Sequence, residues 1–118
     1  VRVLLPGDIQ SEGEAAVAAL DCRAEVLKVP HHGSHTSSSD AFIDAVAPAH
    51  AIISTGGKGG REPVAEDVLK RYQERGIQVW RTDVHGGIRL RIVDGAIAIE
   101  ATRRAPDAPP RAQAMASR

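Results

Sequence analysis

The sequence is short of several features that define common classes of protein. It has a single cysteine, Cys22, which excludes an internal disulfide and a zinc cluster of several thiolates. It has no apolar run approaching the roughly 18 residues that a transmembrane helix needs. Its fifteen basic and fifteen acidic side chains cancel, so the overall charge indicates neither a nucleic-acid nor a membrane partner. We therefore expect a soluble chain.

The length and the first residues indicate one domain, or part of one. A chain of 118 residues can bury one modest core. It opens with "VRVLLPGD", which has the pattern of an internal strand and lacks the charged and apolar regions of a signal peptide. We expect these residues to be the C-terminal part of a longer protein.

Strand and helix patterns alternate through the first 80 residues. Apolar strands are predicted at residues 3–5, 25–29, 50–55 and 77–80. The helices between them are predicted from a Ser11/Glu14 capping box to about Leu20, from the cap residue Ser39 to Pro48, and from Pro63 to Gly76. Strands joined by helices are typical of a parallel sheet, so the predicted fold class is α/β.

The pattern changes after residue 86. The segment "GIRLRIVDGAIAIE", residues 87–100, alternates apolar and polar positions around Asp94-Gly95, which predicts an antiparallel hairpin. Residues 101–118 contain three prolines and no apolar periodicity, which predicts a disordered tail. The tail carries four arginines and one aspartate, and a solvated terminus is a simpler interpretation of that charge than phosphate or lipid binding. We divide the chain into a folded unit, 1–100, and this tail.

Three of the five histidines fall within five positions, in the loop "PHHGSHTSSSD". Imidazole nitrogens bind Zn²⁺ or Mn²⁺, and carboxylates complement them. Asp8 follows the first strand as His31 and His32 follow the second, and neighbouring parallel strands bring their carboxyl ends to one edge. Asp8 and the pair His31-His32 are therefore candidate metal ligands.

Each candidate also has an ordinary structural interpretation. Asp8 precedes a helix, where aspartate is often a turn or cap residue. The histidine pair is harder to explain by packing, because two buried imidazoles need two sets of partners. We interpret the pair as metal-binding or catalytic, His35 as a loop residue, and His50 and His85 as solvent or turn residues.

Nearby polar residues could hold a phosphate. Gly33 lets a ligand approach the backbone closely, and Ser34, Thr36 and Ser37 carry hydroxyl donors. Lys58, in the loop "GGKGGR", could also reach a phosphate, although a solvated lysine is the simpler interpretation.

Four segments resemble the C-terminal half of the metallo-β-lactamase-fold domain in the ComEC/Rec2 family of DNA-uptake proteins. They are "LLPGDIQSEGE", "AEVLKVPHHGSHTSSSDAFIDAVAP", "AIISTGG" and "VWRTDVHGGIRL", and the resemblance covers residues 1 to about 93. It implies half of an αββα sandwich with two divalent metals, Zn or Mn, in the intact domain. It also implies that Asp8 bridges the metals, that His32 is a further ligand, and that His31 lies beside the substrate phosphate.

The resemblance implies a function and partners as well. The function is that of a phosphodiesterase or nuclease acting on single-stranded DNA during natural competence, with Asp8 and His31 as catalytic residues. The partners are the N-terminal half of the same domain and a membrane channel domain, within a bacterial inner-membrane protein. Two alternatives stay open: a metal-dependent hydrolase of small phosphoesters or lactones, and a non-catalytic docking module of an uptake machine.

Three features of the chain limit what the resemblance implies. The motif H-x-H-x-D-H, which supplies other ligands in that family, is absent, so this chain alone cannot complete a dinuclear site. The segment "GGKGGREP" places Glu62 where relatives often carry histidine. Phe42, Tyr72 and Trp80 occupy apolar helix or strand positions, so they do not predict a platform for stacking bases.

Overall fold

A four-stranded parallel sheet forms the centre of the protein. A computed structural model describes residues 1–55, 64–103 and 113–115. The strands are β1 (Val3–Leu4), β2 (Val26–Lys28), β3 (His50–Ile53) and β4 (Gln78–Arg81), in that spatial order. Val26 pairs with Val3 on one side and with His50 on the other. The predicted α/β class and its four parallel strands are therefore confirmed.

Helices connect successive strands. They are α1 (Ser11–Ala18), α2 (Asp40–Val46), α3 (Glu66–Glu74) and the short α4 (Thr82–His85), and Pro30–Gly33 form a 3₁₀ turn. Ser39 caps α2 as predicted, because its hydroxyl accepts a hydrogen bond from the Phe42 N–H at 3.2 Å. The predicted start of α3 at Pro63 lies outside the described residues, and Ala65 is still extended, so α3 begins only at Glu66. Within the described ranges, no helix is long and apolar enough to cross a bilayer.

The start of α1 differs from the prediction. A capping box requires Ser11 to precede the helix, but the N-cap residue is Gln10, which makes no side-chain cap hydrogen bond. Glu14 is buried, and its carboxylate binds the backbone of a different loop. The capping box is therefore wrong, although a helix does begin at Ser11, and it ends at Ala18 rather than Leu20.

The parallel sheet separates two apolar clusters. Leu27 and Ile53 belong to the first cluster, which includes side chains of α2 and α3. Val26 and Trp80 belong to the second, where they join Ile99 of the hairpin. The two clusters lie on opposite faces because successive residues of a strand point in opposite directions. The layers are therefore helices, parallel sheet and antiparallel sheet.

The antiparallel sheet contains the predicted hairpin. Its strands are β5 (Ile88–Val93), β6 (Ala96–Ala101) and β7 (Gln113–Met115), with β6 in the centre. Asp94 and Gly95 both have positive φ, at 49° and 77°, as a two-residue hairpin turn requires. β7 differs from the predicted disordered tail, because its backbone pairs with β6. Ladder hydrogen bonds need no apolar periodicity, since the backbone makes them.

Candidate metal centre

The carboxyl ends of β1 and β2 bring Asp8 and His32 together. Asp8 lies in the turn after β1, and His32 lies in the 3₁₀ turn after β2. The Oδ1 atom of Asp8 and the Nε2 atom of His32 are 3.6 Å apart, which is longer than a hydrogen bond. A backbone hydrogen bond of 3.0 Å from the His31 N–H to the Gly7 carbonyl joins the two turns. The proximity predicted from the strand order is thus present in the structure.

The His32 ring is oriented by a backbone carbonyl. Its Nδ1 atom lies 2.7 Å from the Ser54 oxygen. A carbonyl can only accept, so in the neutral ring Nδ1 carries the proton and Nε2 carries the lone pair that faces Asp8. Metal-binding histidines commonly donate their second nitrogen in this way. The side chains of His32 and Asp8 are 38% and 65% exposed, so an ion can reach both from solvent.

The two histidines lie in an uncommon backbone conformation. Their φ angles are 50° and 54°, and Gly33 follows with 77°. Left-handed residues with side chains cost on the order of 1–3 kcal/mol each and cluster at functional sites. A Cβ at Gly33 would lie 3.0 Å from the Val64 Cγ1 atom and 3.3 Å from the Ile53 Cγ2 atom. Both conformation and packing therefore favour glycine there.

His31 has different neighbours from His32. Its Nδ1 atom lies 3.2 Å from the Thr36 hydroxyl, which in turn lies 3.2 Å from the Ser34 hydroxyl. All three side chains are partly buried on the same loop. The structure therefore groups three of the predicted substrate-binding residues, His31, Ser34 and Thr36.

The other predicted substrate contacts are placed differently. Ser37 is buried, and its hydroxyl lies 3.1 Å from the Ser38 hydroxyl. This position suits support of the loop from inside better than contact with a phosphate. Lys58 and Glu62 lie outside the described residues.

Two of the three remaining histidines are buried. His35 is exposed, in agreement with a loop residue. His50 and His85 are 2% and 6% exposed, so neither is a solvent residue; His50 lies in β3, and His85 is the last residue of the one-turn helix α4. Trp80 contacts both rings. Its indole N–H donates to the His50 Nδ1 atom at 3.3 Å, and the centroids of the Trp80 and His85 rings are 5.4 Å apart. A buried indole N–H needs such an acceptor.

Asp8 and His32 supply part of a metal site. In the part of the chain that the structure describes, no group of three or more histidine, cysteine, aspartate or glutamate side chains could hold a metal ion. One carboxylate and one imidazole are nevertheless donors that Zn²⁺ and Mn²⁺ accept. The pair fits a metal whose remaining ligands come from outside the described residues.

The fold and the site define an α/β protein with a candidate metal-binding pair at the carboxyl edge of a parallel sheet. Among curated proteins, it is similar to "Competence protein ComA" of Neisseria gonorrhoeae, at 32% identity over 104 residues that cover 86% of this chain and 15% of the relative. It is 40% identical over 90 residues to "ComE operon protein 3" of Bacillus subtilis, and the match covers 75% of this chain and 12% of that relative. "Recombination protein 2" of Haemophilus influenzae is 33% identical over 101 residues, and the match covers 86% of this chain and 13% of that relative. No protein-family model matches.

The chain is therefore homologous to a short segment of competence proteins. It spans 12–15% of the length of the three relatives named above. The predicted relationship to these proteins is confirmed over that segment.

Proposed function

We propose that this chain is part of a metal-dependent hydrolase domain that cleaves phosphodiester bonds of DNA during natural competence. The observation that carries the proposal is the pair formed by Asp8 and His32, in which the His32 Nδ1 atom binds the Ser54 carbonyl and Nε2 faces the carboxylate. The similarity to relatives named for competence supports the biological process.

We also infer that the folded unit is half of a metallo-β-lactamase αββα sandwich. The order of layers supports this inference, because helices, a parallel sheet and an antiparallel sheet follow one another as in such a sandwich. The missing ligands would come from the N-terminal half of the same domain. A membrane channel domain would belong to the same bacterial inner-membrane protein.

Asp8 and His32 would hold divalent ions, Zn²⁺ or Mn²⁺, with Asp8 bridging where two are bound. When bound, these ions supply Lewis-acid activation of water and of the phosphoryl group. His31, Ser34 and Thr36 would bind the substrate phosphate. The His31 imidazole would protonate the leaving oxygen, as a general acid does.

Single-stranded DNA is the proposed substrate, recognised through its backbone. The only phenylalanine, tyrosine and tryptophan of the chain, Phe42, Tyr72 and Trp80, are all buried. They cannot stack on bases, so the phosphates would provide most of the contacts. Such binding has little sequence preference and weakens as salt is raised.

Elemental analysis of the intact protein tests the metal site. Asp8→Ala should lose at least one equivalent of Zn²⁺ or Mn²⁺, because a bridging carboxylate serves both ions, and His32→Ala should bind metal more weakly. His35→Ala is the matched control, since it removes an exposed histidine from the same loop, and its metal content should not change. Equal metal content in wild type and Asp8→Ala would contradict the assignment.

Substrate assays on the same proteins separate the possible activities. We expect cleavage of single-stranded DNA. Turnover of bis(p-nitrophenyl) phosphate or of a lactone, without DNA cleavage, would favour a hydrolase of small molecules instead. Absence of both metal and turnover from the intact protein would favour the docking module.

A further inference from the structure

A buried carboxylate connects the two segments that carry Asp8 and His32. Glu14, in α1, is only 1% exposed. Its two oxygens accept hydrogen bonds from the backbone N–H groups of Ser38 and Ser39, the latter at 2.9 Å. Asp8 lies in the turn before α1, and His32 lies near the start of the loop that ends at Ser39. One side chain thus joins the helix after the first candidate ligand to the loop after the second.

Other buried groups hold the same part of the loop. Ser38 has a left-handed φ of 63°, and its hydroxyl lies 2.7 Å from the Tyr72 hydroxyl. Burial raises the pKa of Tyr72 well above its ordinary value, so the phenol stays protonated. The Arg71 guanidinium donates to the Ser38 carbonyl at 3.3 Å. The backbone segment whose N–H groups donate to Glu14 is therefore held from α3 as well as from α1.

A carboxylate suits this position better than other side chains. The burial of the Glu14 carboxylate is tolerated because hydrogen bonds from two backbone N–H groups replace those from water. An ionised carboxylate only accepts, so each oxygen can serve one of the two N–H groups. A glutamine has one such oxygen and would direct its own N–H₂ donors at the second N–H group.

The histidine loop, residues 31–39, is attached at both ends to the segment 7–14, which contains Asp8. At its start, the His31 N–H binds the Gly7 carbonyl, and at its end the N–H groups of Ser38 and Ser39 bind Glu14. Between these attachments lie the left-handed residues His31 and His32, whose conformation needs support from outside. Releasing one end would allow the turn to relax and His32 to move relative to Asp8.

We infer that Glu14 is a positioning residue that sets the separation of Asp8 and His32. Its effect on metal binding rests on the proposed function, in which this pair holds the ion. Glu14 would act through the backbone of the loop and would not contact metal or substrate.

The test compares Glu14→Gln with Glu12→Gln in the intact protein. Glu12 lies in the same helix and is exposed, so its replacement is the matched control. We expect Glu14→Gln to weaken Mn²⁺ binding by about 10–100-fold, the usual effect of removing a group that orients a ligand. Amide exchange at Ser38 and Ser39 should become faster. Both measurements are made well below the unfolding temperature of each variant, and Glu12→Gln should match wild type.

Unchanged Mn²⁺ affinity in folded Glu14→Gln, with only a lower unfolding temperature, would overturn the inference. If Glu14→Gln does not fold, Glu14→Asp replaces it, because the shorter side chain keeps the carboxylate but moves it away from the N–H groups of Ser38 and Ser39. The same loss of affinity is then expected, and unchanged affinity would again overturn the inference.

Failure of the proposed function has a different signature. Wild-type protein that binds neither Mn²⁺ nor Zn²⁺ would overturn the metal site itself. The ring ¹⁵N shifts of His32, which report its hydrogen bond to Ser54, would then decide the role of Glu14. A change of these shifts in Glu14→Gln supports positioning, and identical shifts in both proteins contradict it.

Discussion

At the scale of single residues, His31 and His32 have different partners although they are adjacent and share a left-handed backbone. The His32 ring lies between the Ser54 carbonyl and Asp8. The His31 ring instead faces the Thr36 hydroxyl. The first arrangement suits a metal ligand, and the second suits a residue that contacts substrate.

Alanine variants of the intact protein separate these two roles. His32→Ala should lose metal affinity and activity together, because it removes a ligand. His31→Ala should keep its metal while turnover falls by about 10²–10⁴, the usual contribution of a positioned acid or base. Metal content, unfolding temperature and rate are measured on both variants.

Two results would change this interpretation. Loss of metal from His31→Ala but not from His32→Ala would reverse the two assignments. A lower unfolding temperature with a normal rate would make His31 a packing residue of the loop.

At the scale of elements, Thr82 holds the ends of β3 and β4 together from the first position of α4. Its hydroxyl accepts from the Thr55 N–H at 2.8 Å and donates to the Thr55 carbonyl at 2.7 Å. Thr55 follows Ser54, whose carbonyl orients His32. The Thr82 hydroxyl, in α4, thus fixes the backbone beside Ser54, the residue that orients the candidate ligand His32.

Replacement of Thr82 tests this connection between the strands. Thr82→Val keeps the shape but leaves both backbone groups of Thr55 without this partner, so the free energy of unfolding should fall by about 1–3 kcal/mol. Thr82→Ser keeps the hydroxyl and should lose much less. Urea denaturation measures both, and equal stability of the two variants would contradict the role of the hydroxyl.

At the scale of the whole molecule, the parallel sheet is covered on both faces. Helices cover one face, and β5 and β6 cover the other through Ile97, Ile99 and neighbouring apolar residues. Parallel sheets occur almost only with both faces buried. The hairpin is therefore part of the core.

Truncation of Ile99 tests the packing between the two sheets. Ile99 is fully buried, whereas Ile92 of the same hairpin is 46% exposed. Ile99→Ala should lower the free energy of unfolding by about 2–5 kcal/mol, because it leaves a cavity. Ile92→Ala should have a much smaller effect. Denaturation followed by the emission of Trp80 measures both, and equal losses would show that the hairpin does not pack as described.

The sequence by itself determined most of the elements and the proximity of Asp8 and His32. Apolar periodicity, the Ser39 cap and the Asp94-Gly95 turn are local signals, so they predicted most of the strands and helices. The proximity of the candidate ligands followed from topology, because neighbouring parallel strands share one carboxyl edge. The roles of the two residues in metal binding stay predictions.

Only the tertiary structure decided which groups support the site. Glu14 fits a capping box by spacing, and nothing in the sequence distinguishes that role from a buried carboxylate that binds another loop. The Ser54 carbonyl was not predicted, because every residue carries the same backbone acceptor. The burial of His50 likewise depends on Trp80, a neighbour distant in the chain. Local signals specify elements, but the partners of buried polar groups are specified by packing between elements.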